Sequence, residues 1–501
     1  MRRAAARQRG VRQESAARIE TLFVHLVLGS ESSSKVGPVR YRRMTWFQST
    51  SSADPLPRYG QLLEAEPWKR KIMNLKGCAD YWRQHRGLLA ILALGLAARL
   101  AVLFLYLGMH DWQGETWEYE MIARNILEGR GFTLLHNNTI YSSFIVPVFP
   151  LICAFLHLIG GPGLGLYYVF HLSIAVGVIW LTYAVAHRWY SARTAVLAAM
   201  LVALEPGLLV YHSYKVDVIA LSTFLLLLGI YWLLLLGRAQ DRRLAVLVGA
   251  IAGIGVLTRP DLAGFLAAPI VWAVIQRRQY PGAGRTAVVV LLVAFAVMTP
   301  WIVRNSYIHG RLVTLVTISG ESLWRGNNPN ATGTTVTSDI RGQLEAAPEE
   351  FRRKVYSLGE VEQNAFFRQE ALRYIAMDPL GFFVRAIQKL YYFWWFTPTS
   401  FRQYYEWIPS PFVAAYPVLY GTLLIFALLG GWYAMRGPVH DTRWVTLCLL
   451  TAPMAIAVIH SINYVEGRHR VLVMPVVLLL SAHGMVGLWT SRSPGLGSNG
   501  S

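Results

Sequence analysis

The sequence predicts an all-α polytopic membrane protein with about ten transmembrane helices, juxtamembrane helices on the outer face and a small outer loop domain. Three observations predict it. The 501 residues are 54% hydrophobic, 13% aromatic and only 15% charged, too apolar for a soluble chain of this length. Uncharged apolar runs of about 20 residues, roughly 30 Å each as helix, recur along the chain. Arginines gather in short segments between those runs, as the positive-inside rule expects. The formal net charge of +19 therefore points to anionic headgroups or phosphate as partners and away from nucleic acid. Cys78, Cys153 and Cys448 lie in or beside apolar stretches without metal-binding spacing, so they read as small core residues and not as a disulfide framework.

Taken in order, residues 1–72 are rich in Arg, Ala, Ser and Gln and carry Pro55, Pro57 and Pro67 without a sustained apolar period. They read as a disordered cytoplasmic extension, with Met44 and Met73 as alternative starts. The first clear span, 88–108, follows Lys69, Arg70, Lys71, Lys76, Arg83 and Arg86. That basic flank sets the N-terminus inside and the next loop, 109–163, outside. Arg99, within this span, is costly at mid-depth and is expected to face the helix bundle.

The stretch 144–160 is barely long enough to span and carries Pro147, Pro150 and His157. If it lies along the outer surface, the basic loops 238–243, 276–285 and 436–443 all fall inside, so it is read as a non-spanning juxtamembrane helix. The remaining spans fall near 164–187, 192–211, 216–237, 243–258, 261–276, 285–303, 411–434, 444–462 and 470–490. The chain thus divides into a transmembrane module over 73–304, an outer loop domain over 305–410, C-terminal helices over 411–490 and a flexible tail over 491–501. In the loop domain, 379–396 combines Arg385 and Lys389 with a dense aromatic face, a pattern suited to a helix lying in the interface.

This topology gathers both signs of charge on the outer side. Arginines in short outer loops run against the positive-inside bias, and a phosphate held at the membrane surface is a natural ligand for them. Arg259 either pairs with Asp261 or grips such a phosphate. Arg304, ending a span, either snorkels to headgroups or binds substrate. Arg468, His469 and Arg470 crowd one five-residue turn, EGRHR, and suit phosphate. Lys215 and Asp217 either cap a helix or reach the ligand, and Asn327 and Asn328 are either turn residues or sugar contacts. Opposite them stand Asp111, Glu115 and Glu118. A helix beginning near Glu115 and capped by Gly129 or Gly131 puts Glu115 and Glu118 on one face. Two like carboxylates in a partly dry site raise one pKa, whereas solvated acids in a first helical turn only complement the helix dipole.

The acidic loop, the segment ARNILEGRGF (123–132), LTRP (257–260), PWIVRNSYIHGRLVTLVTISGESLWRGNNPNATG (300–333) and EGRHRVLVMP (466–475) together resemble the GT-C superfamily of membrane glycosyltransferases. Within it they are most similar to the family 39-type and aminoarabinose-transferase-like enzymes of the protein mannosyltransferase group. The resemblance runs over about 88–490. It implies transfer of one hexosyl or pentosyl unit from a polyprenyl phosphate of undecaprenyl or dolichyl type to a lipid, glycan or protein acceptor. The transfer takes place outside a cell (inner) membrane, typically with inversion. Glu115 stands where the family has Asp in a G-D-x-x-E-Y pattern, and Glu118 stands at the second acid. The resemblance thus implies Glu115 as general base, with Asp111 as the alternative if the loop is shifted. Glu118 orients the acceptor or shares a divalent cation such as Mg or Mn. Arg468, Arg470, Arg259, Arg304 and Lys215 hold the donor phosphate, and Tyr119, Asp217, Asn327, Asn328 and His469 contact substrate. Trp112, Trp117, Trp324 and Trp394 are candidates to line the cavity. A competing class, a transporter or flippase, would place buried charges near the bilayer midplane on broken helices in paired repeats.

Overall fold

The computed structural model describes residues 86–109, 118–161, 163–239, 241–397, 410–437 and 440–492. The proposed extension at 1–72 and the tail from 493 lie outside them, as do Cys78, Asp111, Trp112, Glu115 and Trp117. Among the described residues the chain is helical apart from one short hairpin. Seven helices are long and apolar enough to cross a membrane. They are α1 (Arg86–Met109), α4 (Gly165–Trp189), α7 (Ile219–Ala239), α10 (Ala283–His309), α15 (Ser410–Arg436), α16 (His440–Ile462) and α18 (Met474–Arg492).

The other three expected spans are shorter or broken. The stretch 192–211 divides into α5 (Ala192–Leu204) and α6 (Pro206–Tyr211) at Glu205, whose carboxylate caps the second piece by accepting from Leu208 N at 2.6 Å. Pro206 cannot donate to the preceding turn, which is why the chain breaks there. Arg242–Thr258 forms α8, and the next stretch opens as a 3-10 turn, Pro260–Leu266, before α9 (Ala267–Gln276). The ambiguous stretch 144–160 forms α3 (Val148–Gly160), 13 residues or about 20 Å of helix, short of the roughly 30 Å of a hydrocarbon core.

Close approach of helix backbones sets the packing. On α8, a Cβ at Gly249 would meet Val290 O at 2.6 Å and one at Gly253 would meet Ala294 O at 2.7 Å. This small-xxx-small stripe seats α8 directly on α10. Gly430 and Gly484 do the same between α15 and α18, where added Cβ atoms would lie 1.9 Å and 2.1 Å from Leu480 O and Phe426 O.

Arg99 faces the bundle as expected and is fully buried. It donates to Gly95 O at 3.0 Å, Ala203 O at 2.9 Å and Val202 O at 3.2 Å. Its guanidinium therefore answers carbonyls freed where α5 stops, and α1 is fastened to that break.

The segment between α10 and α15 contains α11 (Ser319–Arg325), α12 (Glu349–Tyr356), α13 (Glu360–Met377) and α14 (Pro379–Trp394). It has its own small core of Trp324, Val355, Phe367 and Ala371. Trp324 stacks on Phe351 at 5.0 Å and so belongs to this core and not to a cavity lining. Helix α14 exposes Leu380, Phe383, Val384, Ile387 and Tyr391, the apolar face its sequence suggested. Lys389 departs from that reading. It is fully buried and donates to Asn463 O at 2.8 Å and to Gly326 O, Asn327 Oδ1 and Ile462 O at 3.2 Å.

Replacing Arg99 with Met is expected to leave the Val202 and Ala203 carbonyls unanswered in an apolar setting. The cost should be about 1–2 kcal/mol, read as a lowered thermal midpoint in detergent. An unchanged midpoint would show that the break at Glu205 is satisfied without α1.

Candidate active site

One cavity of about 720 Å³ collects side chains from the ends of several helices. Glu118 and Tyr119 open α2 (Glu118–Leu127). Asp217 precedes α7, Arg259 and Asp261 lie where α8 gives way to the 3-10 turn, and Arg325 closes α11. His460 ends α16, and Arg468 and His469 sit on α17 (Gly467–Val471). The rim includes His136 of the hairpin β1 (Leu134–His136) and β2 (Thr139–Tyr141).

Most charges in the wall are paired. Arg259 Nε donates to Asp261 Oδ2 at 2.8 Å, and the same oxygen lies 2.8 Å from His460 Nε2. Arg468 Nε lies 2.7 Å from Glu466 Oε2, and its Nη1 is 3.8 Å from Asp217 Oδ2. Asp217 also caps α7 by accepting from Ile219 N at 3.1 Å, so capping and lining coexist in one side chain. Arg325 Nη2 donates to Glu321 Oε1 at 2.5 Å, while Glu321 Oε2 lies 3.0 Å from His136 Nε2. Burial alone would raise the Glu321 carboxyl, but Arg325 and His136 outweigh it and bring its pKa down to about 2.

Among the described residues no cation is set against Glu118 as closely as these. Burial, together with the nearby Asp217 charge, pushes its carboxyl above the usual range, against the pull of its own backbone N–H, Arg468 and Arg325. A carboxylate so raised binds protons more readily than a solvated one. Among the described residues helix α2 runs from Glu118, with Glu118 and Glu120 as acids of its first turn. Gly129, at φ 79°, follows its end as the expected left-handed residue.

Of the residues expected at the site, the cavity brings together Glu118, Tyr119, Asp217, Arg259, Arg468 and His469. Asp111 and Glu115 lie outside the described residues. Five others do not line the cavity. Arg304 donates to Ser142 O at 2.8 Å and Asn305 Oδ1 at 2.9 Å, with its guanidinium over the Trp301 ring at 4.4 Å. Arg470 donates to Trp395 O at 2.7 Å between the rings of Phe396 and Tyr420. The turn EGRHR is a short helix, and residues two apart on a helix lie on different sides, so Arg468 and Arg470 diverge. Lys215 lies 5.5 Å from the Tyr214 ring. The Asn327 amide donates to Leu323 O and Ile462 O at 2.8 Å, and that of Asn328 to Trp324 O at 3.0 Å and Gln343 Oε1 at 3.1 Å. Trp394 is also absent from the lining.

Sequence reading gave no role to His460, Glu321, Glu466 or His136. Their signal is only spatial: each meets its partner through the fold or within a loop whose shape the sequence does not specify. Among the described residues no group of three or more His, Cys, Asp or Glu side chains is placed to hold a metal ion. Asp217 and Asp261 already answer guanidinium groups.

Residues 146–303 match the family model described as "Dolichyl-phosphate-mannose-protein mannosyltransferase". That segment, which contains Asp217, Arg259 and Asp261, is similar to this family. No curated protein sequence matches the chain. Among solved structures the chain is similar to the oligosaccharyltransferase AglB of Archaeoglobus fulgidus in complex with an inhibitory peptide and a dolichol-phosphate. Identity there is 16% and the TM-score 0.46, with 84% of this chain and 53% of that chain covered. A second structure of the Archaeoglobus fulgidus oligosaccharyltransferase, complexed with Zn and sulfate, gives 17% identity and a TM-score of 0.46 over 81% of this chain and 49% of that one. ArnT from Cupriavidus metallidurans bound to undecaprenyl phosphate gives 16% identity and a TM-score of 0.37 over 80% and 79%. The chain spans about half the length of the archaeal chains it matches.

The raised carboxyl of Glu118 makes a signed prediction. Its proton is held more tightly in the folded state, so its favourable contribution is present below the unfolded pKa and lost as pH rises through the folded value. Glu118→Gln should therefore gain thermal stability over wild type as pH rises from about 4 to 8. A difference in thermal midpoint that does not change with pH would show that Glu118 is not held protonated by its surroundings.

Proposed function

We propose that the chain is a membrane glycosyltransferase that moves a single sugar from a polyprenyl phosphate to a lipid, glycan or protein acceptor on the outer face of a cell (inner) membrane. The observation that carries this reading is the cavity itself. It combines a proton-seeking carboxylate, Glu118, with the guanidinium groups of Arg259, Arg325 and Arg468 at one end of an apolar helix bundle. The family match over 146–303 supports the same class.

The acceptor hydroxyl oxygen attacks the anomeric carbon, and the bond from that carbon to the phosphate oxygen breaks. The bonding electron pair stays on the phosphate, and the hydroxyl proton passes to a carboxylate. Attack from the face opposite the leaving phosphate inverts the anomeric centre. Glu118 is the described group suited to take the proton, within the acidic loop that also supplies Glu115 and Asp111. Negative charge growing on the leaving phosphate calls for prepositioned donors. Arg259 suits this because its Nε is already fixed by Asp261, which aims the rest of the guanidinium without further ordering. Arg468, braced by Glu466 and Asp217, is the second. Arg304, Arg470 and Lys215 do not line the cavity and are given no part in this step.

The test is transfer of labelled sugar from a polyprenyl phosphate donor in membranes. Arg259→Gln and Glu118→Gln should each lower the rate about 10²- to 10³-fold, whereas Asn328→Ala should change stability and not the rate per folded molecule. Full activity in the Arg259 and Glu118 variants would reject the mechanism, and dependence on a solute gradient would favour a transporter.

A further inference from the structure

Two stacked imidazoles in the cavity wall are committed differently. The rings of His460 and His469 lie 3.7 Å apart with planes 21° from parallel. His460 Nε2 is 2.8 Å from Asp261 Oδ2, and its Nδ1 is 3.3 Å from the Tyr464 carbonyl oxygen. Both nitrogens of His460 therefore face acceptors. His469 is held the other way round. The backbone N–H of Glu466 donates to His469 Nδ1 at 3.2 Å, which makes Nδ1 the unprotonated nitrogen and leaves the ring proton on Nε2. Among the described residues no hydrogen bond engages that Nε2, while the residue lines the cavity.

The surroundings oppose a second proton on this ring. Burial comes first, followed by His460, Arg259 and Arg468, and together they hold its pKa well below the ordinary histidine value. Glu466, the carboxylate at the start of the same short helix, accepts from the His469 backbone N–H and pairs with Arg468 Nε at 2.7 Å. A ring that resists protonation is a poor base. It is, however, a directional donor of fixed tautomer.

We propose that His469 presents its Nε2–H to an oxygen of the transferred sugar, and so selects the sugar instead of carrying the proton of the reaction. The inference rests on the donor reading above. The charge of the lipid phosphate is met by guanidinium groups, to which a neutral N–H adds no further charge. The uncharged oxygens of a sugar are its better match, and a site built to hydrogen-bond a hydroxyl discriminates strongly against a ligand lacking it.

The experiment measures binding to the full-length chain in nanodiscs. The probes are undecaprenyl phosphate alone and undecaprenyl phosphate carrying glucose, mannose, galactose or arabinose. His469→Phe keeps a flat ring against His460 and removes the donor, whereas His469→Gln retains an amide N–H. The sugar that wild type prefers should lose about 10-fold in affinity in the Phe variant and less in the Gln variant, with binding of the bare carrier unchanged in both. The wild-type sugar preference should stay constant between about pH 5.5 and 8, across the range where an ordinary histidine titrates. Equal losses for bare and sugar-loaded carriers would overturn the assignment, as would a preference that titrates near the ordinary histidine value. Carrier binding by wild type with no sugar preference also overturns it while sparing the donor reading. Failure of wild type to bind any carrier sinks both.

Discussion

The cavity depends on the Asp261 carboxylate. One of its oxygens accepts from Arg259 and faces His460, both at 2.8 Å, so it joins the break between α8 and the 3-10 turn to the end of α16, almost 200 residues later. A carboxylate at the margin of an apolar bundle must be paired or it will be protonated. Here the pairing does two jobs. It neutralises the acid, and it fixes the direction of a guanidinium that would otherwise swing on a flexible stem. Arg325 on Glu321 and Arg468 on Glu466 repeat the device. The three arginines of the wall are thus set by buried carboxylates before any ligand arrives. That is the condition under which electrostatic stabilisation costs no reorganisation during reaction.

Glu118 is the exception that gives this arrangement chemical sense. Its raised carboxyl arises from burial and from Asp217, with the wall arginines pulling the other way. Had Arg468 paired with Glu118 as closely as it does with Glu466, the carboxylate would be stabilised as an anion and weakened as a base. Because Arg468 is already engaged by Glu466, Glu118 keeps its affinity for a proton.

The spans were legible because about 20 apolar residues have few alternatives in a membrane protein. All seven long helices fall where hydropathy put them, and Arg99 faces inward because an arginine at that depth must find acceptors. Hydropathy does not reveal where a helix stops and restarts within one apolar run, so the break at Glu205 emerges only in three dimensions, whereas the one at Arg259 falls between the spans expected at 243–258 and 261–276. In the site, residues near span ends were easy to select and hard to sort. Arg468 and Arg470 look equivalent in the sequence, yet the short helix they share sends one to the cavity and the other between Phe396 and Tyr420. Asn327 and Asn328 have the composition of a sugar-binding turn, but their amides hold backbone carbonyls, one of them 135 positions away. Lys389 reads as an interfacial cation and is instead the hub on which residues 326–327 and 462–463 close. For Arg470, Asn327 and Lys389 the deciding partner is remote in sequence.

The same remoteness explains how the segment after α2 acquires a defined place. Glu360, the first residue of α13, accepts from the backbone N–H of Ser142 at 2.7 Å and of Ser143 at 2.8 Å, and from the Thr317 hydroxyl. Tyr141 donates to Gln363 at 2.6 Å, and Glu321 holds His136 and Asn137 of the hairpin. The segment after α2 is therefore clamped to the loop domain through residues some 180 to 220 positions later. Helix α2 is clamped to α3 by packing and by the edge of the Tyr119 ring against Phe149 at 5.0 Å. Glu118 sits at the start of that braced unit, so its position relative to Arg259 is set from two directions: by the helices that carry the arginine and by the segment between α10 and α15 that holds the hairpin. A substitution that loosens the Glu360 clamp would displace Glu118 relative to Arg259 without touching either, so the segment between α10 and α15 sets part of the geometry of the cavity.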